Sequence, residues 1–206
     1  MITNKYILLG ARVVSLIFTP FYLPVMAFVL LFIFSYLNLL SWGTKGLLLL
    51  MVWAFTVILP HIFITIYRKI NGWTHHQMGH RERRIVPYLL SITSYASLLY
   101  LMYSIRMPRF TLSIIAAALA IQVVCAVLNT KVKVSTHAAG AGGVVGALMS
   151  FSVIFNFDPT FWLCISILVC GVVSTSRLIL RQHTQTELLL GIGVGILCGL
   201  VCVRYI

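Results

Sequence analysis

Six or seven runs of about twenty apolar residues, separated by short polar connections, constrain this chain more than any other feature. Hydrocarbon offers backbone groups no partners, so a run of that length is satisfied as a helix that bonds its own N–H and C=O groups while crossing a bilayer. The expected fold class is all-α: a polytopic membrane helical bundle of six or seven transmembrane helices, forming a single transmembrane domain over residues 1–206. With 61% hydrophobic and 9% charged residues the chain lies far from soluble-domain composition. Crossings are expected near 20–41, 46–67, 85–105, 110–129, 138–156, 161–180 and 186–204. An interfacial or tilted piece holding Arg12 precedes them, and Pro60 is expected to kink the second crossing beside His61. The segment opening at Ala138 is rich in Ala and Gly, which lets helix backbones approach closely within lipid.

Fifteen Lys and Arg stand against three acids, a formal charge of +12. On a soluble chain such an excess points to nucleic acid. Here the cations cluster in connections at the membrane surface, where anionic headgroups and phosphorylated lipids are the partners expected; no nucleic-acid partner is. The five cysteines all lie in apolar runs and read as small packing residues, without a disulfide framework. His76 and His80 have the i, i+4 spacing of a metal pair, but nothing nearby completes a ligand set, so no metal and no cofactor are expected. No cleaved signal peptide is apparent.

The chemistry concentrates in three polar segments: 68–84, 130–137 and 176–187. Two crossings separate each from the next, and an even count returns the chain to the same face. All three histidine-containing segments are therefore expected on one side of the membrane, with Lys45, Arg106, Arg109 and Asp158 on the other. In the third segment Glu187 follows His183 by four residues, which on a helix puts both side chains on one face. A carboxylate there accepts an imidazole N–H, fixes the tautomer and frees the other nitrogen as base or nucleophile. Arg177, upstream, offers a planar fork suited to phosphate oxygens. Convergent Arg, Lys, Ser and two His at one face is what phosphate-ester chemistry requires: cations and hydroxyls hold the phosphoryl oxygens, one imidazole attacks, and the other protonates the leaving oxygen.

These residues resemble the type 2 phosphatidic acid phosphatases of the acid phosphatase and vanadium haloperoxidase superfamily. That family's pattern has three parts: Lys-x6-Arg-Pro, Pro-Ser-Gly-His and Ser-Arg-x5-His-x3-Asp. Ser176-Arg177, five residues, His183, three residues and Glu187 match the third part, with Glu in place of Asp. Val134-Ser135-Thr136-His137 keeps Ser and His of the second but not its Pro and Gly. The first is degenerate, with Arg84 three residues before Pro87 and Gln77 where the family has Lys. The resemblance implies that His183 is the phosphate-accepting nucleophile, oriented by Glu187, and that His137 is the acid for the leaving group. It further implies that Arg177, Arg84, Ser135 and Ser176 hold the phosphoryl group without a metal. Lys133, two residues before Ser135, is our candidate for the charge missing at Gln77.

The resulting expectation is a metal-independent lipid phosphatase acting on a phosphate monoester or pyrophosphate through a phosphohistidine. Phosphatidic acid, phosphatidylglycerophosphate, an isoprenyl (pyro)phosphate such as undecaprenyl pyrophosphate, and a lipid A phosphate are candidate substrates. A lipid phosphotransferase and a catalytically silent phospholipid-binding bundle are the alternatives. A bacterial inner membrane is the expected location, and the oligomeric state is left open. The positive-inside rule puts the histidine-bearing side in the cytoplasm, whereas the family resemblance favours an outward-facing site, which is the expectation adopted.

Overall fold

The computed structural model describes residues 5–72 and 85–206. Its elements are all helical. In chain order they are α1 (Lys5–Ile17), α2 (Leu23–Phe34), a 3-10 turn (Tyr36–Leu39), α3 (Trp42–Ile70), α4 (Ile85–Ser104), α5 (Arg109–Asn129), α6 (Thr136–Phe155), α7 (Thr160–Ile179) and α8 (Gln185–Tyr205). Six of them, α3 to α8, are long and apolar enough to cross a membrane. Their outward faces carry large apolar side chains such as Leu47, Leu168, Leu189 and Leu197, as a lipid-facing surface requires. This is an all-α, multi-pass membrane bundle.

The crossing expected over 20–41 needs correction. That stretch is a 12-residue helix followed by a 3-10 turn, and Ser35 breaks it: its backbone is extended and its hydroxyl takes up the Leu31 carbonyl at 2.6 Å. At ~1.5 Å per residue α2 reaches only ~18 Å. The segment still runs deep in the bundle. Pro20 and Leu23 pack on Gly140, while Phe28, Phe32 and Leu37 join Val52, Tyr95, Met102 and Leu112 in the larger core cluster. Lys45 fixes the corner after it, donating to the Asn38 carbonyl at 2.7 Å and to Asn38 Oδ1 at 3.1 Å, with its charge over the Trp42 ring.

Pro60 acts on α3 through a π-turn at Ala54–Ile58. A proline has no N–H to close that turn, which frees the Phe55 carbonyl; Ser94 on α4 donates to it instead. His61 faces outward rather than packing inside. Among the cysteines, Cys125 and Cys170 are buried and all five are free thiols, but Cys164 is exposed, so the packing role expected of every cysteine fails there.

The tightest joint in the bundle is α6 on α8. A Cβ at Gly142 or Gly146 would strike the backbone of Ile192 or Ile196 on α8. Reciprocally, one at Gly195 or Gly199 would strike the backbone of Ala139 or Gly143 on α6. Small residues let these two helices touch along four turns, and dispersion between close backbones replaces the hydrophobic drive that lipid removes. The joint holds the first turns of α6 and α8 side by side at one end of the bundle.

Candidate functional site

Five connections follow from the helix order. The ends at 70–72, 130–135 and 180–184 fall on one face; 105–108 and 156–159 fall on the other. Direct contact joins two of the three ends of the first face. The Ser135 N–H donates to the Glu187 carbonyl at 3.3 Å, and Lys133 Nζ donates to the Gln182 carbonyl at 2.7 Å. Segments 130–137 and 176–187 therefore meet, as the sequence spacing requires. Arg84 and Gln77, with His76 and His80, lie outside the described residues.

Local chemistry explains how His183 is held. Helix α7 closes with the Gln182 N–H returning to the Arg177 carbonyl at 3.2 Å, and Arg181 takes a left-handed backbone, φ 51°. A non-glycine residue there costs about 1–2 kcal/mol, which places strain two residues before His183. Thr184 then caps α8: its hydroxyl accepts the Glu187 N–H at 3.4 Å and the Glu187 carboxylate accepts the Thr184 N–H at 3.4 Å, a capping box. The same carboxylate oxygen, Oε2, lies 2.7 Å from His183 Nδ1. Thus His183 and Glu187 do not share a helix face, as the spacing had suggested. His183 precedes the cap, and Glu187 reaches back from the third helical position to meet it.

The pair fixes one chemical state. With Glu187 accepting from Nδ1–H, the imidazole is the Nδ1–H tautomer and Nε2 keeps its lone pair. Burial pushes the imidazole pKa down to about 4; Arg177 and Lys133 push the same way, and these together outweigh the raising effect of Glu187. His183 is therefore neutral near pH 7, with its side chain almost fully buried and that of Glu187 partly exposed. A buried, oriented, unprotonated imidazole beside two cations is an arrangement for attack on an anionic centre.

The other predicted residues are engaged in different ways. Ser135 is fully buried and caps α6, its Oγ accepting the Ala138 N–H at 3.4 Å. His137 lies two residues on, in the first turn of α6 and partly exposed. Ser176 is turned away, its hydroxyl donating to the Val172 carbonyl at 2.8 Å on its own helix. Arg177 reaches sideways and donates from a terminal nitrogen to Ser15 Oγ of α1 at 2.8 Å.

Sequence reasoning missed Ser15, which is buried where α1 packs on α7. A separation of 162 residues from Arg177 gave no local signal. The one trace is the pair of small residues Ala11 and Ser15, a helical turn apart and both buried, in a helix otherwise made largely of bulky side chains.

Lys133 donates to a backbone carbonyl and Arg177 to a hydroxyl, and Glu187 is the one acid on this face among the described residues. Helices α6 and α8 also present their N-termini here, which favours negative charge. The site is positive. Among the described residues no group of three His, Cys, Asp or Glu could hold a metal ion. No protein-family model, curated protein or solved structure matches this chain.

Proposed function

We propose that this protein is an integral-membrane lipid phosphatase of the type 2 phosphatidic acid phosphatase kind, working without a metal. The observation that carries the reading is the 2.7 Å contact between Glu187 and Nδ1 of a buried His183 whose pKa is depressed to about 4. A positively charged site at the end of a lipid-embedded bundle favours an anionic headgroup with an apolar tail over a soluble metabolite.

The chemistry has two steps. His183 Nε2 attacks phosphorus; an N–P bond forms while the P–O bond to the lipid breaks, and His137 gives its proton to the leaving oxygen. Glu187 keeps the Nδ1 proton and offsets the positive charge that develops on the ring. Lys133, Arg177 and, from outside the described residues, Arg84 hold the equatorial oxygens as charge builds on them. Water then attacks the phosphohistidine with His137 as base, the N–P bond breaks, and phosphate leaves. Ser135 and Ser176 contribute hydroxyls to the same oxygens once their present backbone contacts are exchanged.

Phosphate release by purified protein in detergent, with chelator present, against phosphatidic acid, phosphatidylglycerophosphate, an isoprenyl pyrophosphate and a lipid A phosphate tests this reading. Release from one or two members is expected. No release from any of them by folded protein, with transfer to an added alcohol, would replace hydrolysis by phosphotransfer; neither activity would leave a phospholipid-binding bundle.

A further inference from the structure

Helices α1 and α7 enclose an open groove of about 480 Å³, walled by Ile7, Gly10 and Ala11 on one side and Leu168, Gly171 and Val172 on the other. The two facing glycines make it. At Gly140, Gly142 or Gly146 an added Cβ would collide with a neighbour, but at Gly10 and Gly171 it would meet nothing within 4 Å. No helix contact requires glycine at these two positions, although glycine costs a helix roughly 1 kcal/mol relative to Ala. Gly43, Gly46 and Gly193 are equally open but do not line this groove.

The groove runs toward the candidate site. Thr175, Ser176 and Ile179 line its far end, and one residue past Ser176 stands Arg177, tied to Ser15. Both hydroxyls at that end are turned into the helix, Thr175 onto the Gly171 carbonyl and Ser176 onto the Val172 carbonyl, each at 2.8 Å. The wall thus stays apolar until the arginine. A helix with side chains is about 10–12 Å across, too thick for a slot whose width is set by single missing side chains. An alkyl chain is thin enough.

We propose that this groove receives a hydrocarbon chain of the lipid phosphate, aligning its headgroup with Arg177, Lys133 and His183. The inference rests on the phosphate-binding reading of that site. Within a bilayer, moving a chain from lipid into an apolar groove gains little free energy, because lipid tails are as apolar as leucine. Occupancy must therefore be driven by the headgroup, and the groove selects by shape and direction. N-terminal helix α1 becomes one wall of the substrate site and, through Ser15, the support of its arginine.

The test uses full-length protein in mixed micelles, irradiated with octadecyl phosphate carrying a mid-chain diazirine or with octadecanol carrying the same group. Peptides bearing the label are mapped by mass spectrometry. The expected result is labelling of 7–11 and 167–172 by the phosphate at about tenfold the level given by the alcohol, lost in Gly171→Leu. Gly10→Leu, on the opposite wall, should have the same effect, which guards against one variant failing to fold. Equal labelling by the two probes would overturn the proposal, leaving the groove to bulk lipid. So would headgroup-dependent labelling that survives both substitutions. Selective labelling by a protein that releases no phosphate would support the groove and refute the chemistry assigned to His183.

Discussion

At the scale of single residues, Glu187 links the fold to the candidate site, since one carboxylate oxygen both completes the α8 cap and meets His183. Glu187→Gln presents an amide N–H or O where only an acceptor fits, favouring the wrong tautomer and removing the charge that balances the ring. Loss of the correct tautomer costs a histidine-dependent enzyme up to about 10⁴-fold. The expected outcome is a kcat reduced by at least ~10²-fold, with little change in KM, measured by phosphate release. His183→Ala should abolish release. The depressed pKa of His183 sets a further expectation: the acid limb of kcat/KM falls near pH 4 rather than at the ordinary 6.5 of histidine. An acid limb at 6.5 or above would mean that the nucleophile is not this imidazole. Stability follows the same group. Because the folded pKa lies below the unfolded one, the unfolded chain binds the extra proton between these values. The contribution of a neutral His183 is complete above about pH 6.5 and is lost as pH falls toward 4.

At the scale of helices, the α6–α8 joint positions the site, because it presses the Ser135 cap and the Glu187 turn together. Gly146→Leu would push a branched side chain into the Ile196 backbone. Overpacking of a well-packed joint costs about 1–3 kcal/mol and more where backbone must move. A lowered thermal midpoint in detergent and impaired phosphate release are expected together; Gly193→Leu, which points into open space, should change neither. A midpoint for Gly146→Leu equal to that of the parent protein would contradict the packing. Much of this level was legible in sequence. Long apolar runs gave α3 to α8 within a few residues at their ends, and the Ala- and Gly-rich opening of α6 announced a close helix contact. The region before Trp42 was not legible, because an apolar run of that length looks the same whether or not Ser35 breaks it. The i, i+4 spacing of His183 and Glu187 pointed to the right pair for the wrong geometric reason. A capping box that reaches back and a shared helix face can produce the same spacing.

At the scale of the whole molecule, helix parity and contact agree that 130–135 and 180–184 share one face, opposite 105–108 and 156–159. With the native cysteines replaced by serine or alanine, cysteines introduced as Lys131→Cys and Arg181→Cys should react with a membrane-impermeant maleimide from one side of a sealed vesicle, and Asp158→Cys from the other. Labelling of positions 131 and 181 from opposite sides would break the topology. The same labelling assigns the face of the candidate site to the cytoplasm or to the outside, where charge bias and family resemblance point in opposite directions. The Ser15–Arg177 contact belongs to this scale as well. It brings the first helix to a motif near the end of the chain, and no sequence pattern short of the folded bundle encodes that meeting.

The most direct test of the central claim is covalent trapping. The purified protein is mixed with radiolabelled lipid phosphate, quenched in alkali to preserve phosphohistidine, and mapped by mass spectrometry. Phosphate on His183, absent from His183→Ala and accumulating when turnover is slowed, is the predicted result. Phosphate release at the parent rate by His183→Ala, or a phosphorylated residue elsewhere, would contradict the account.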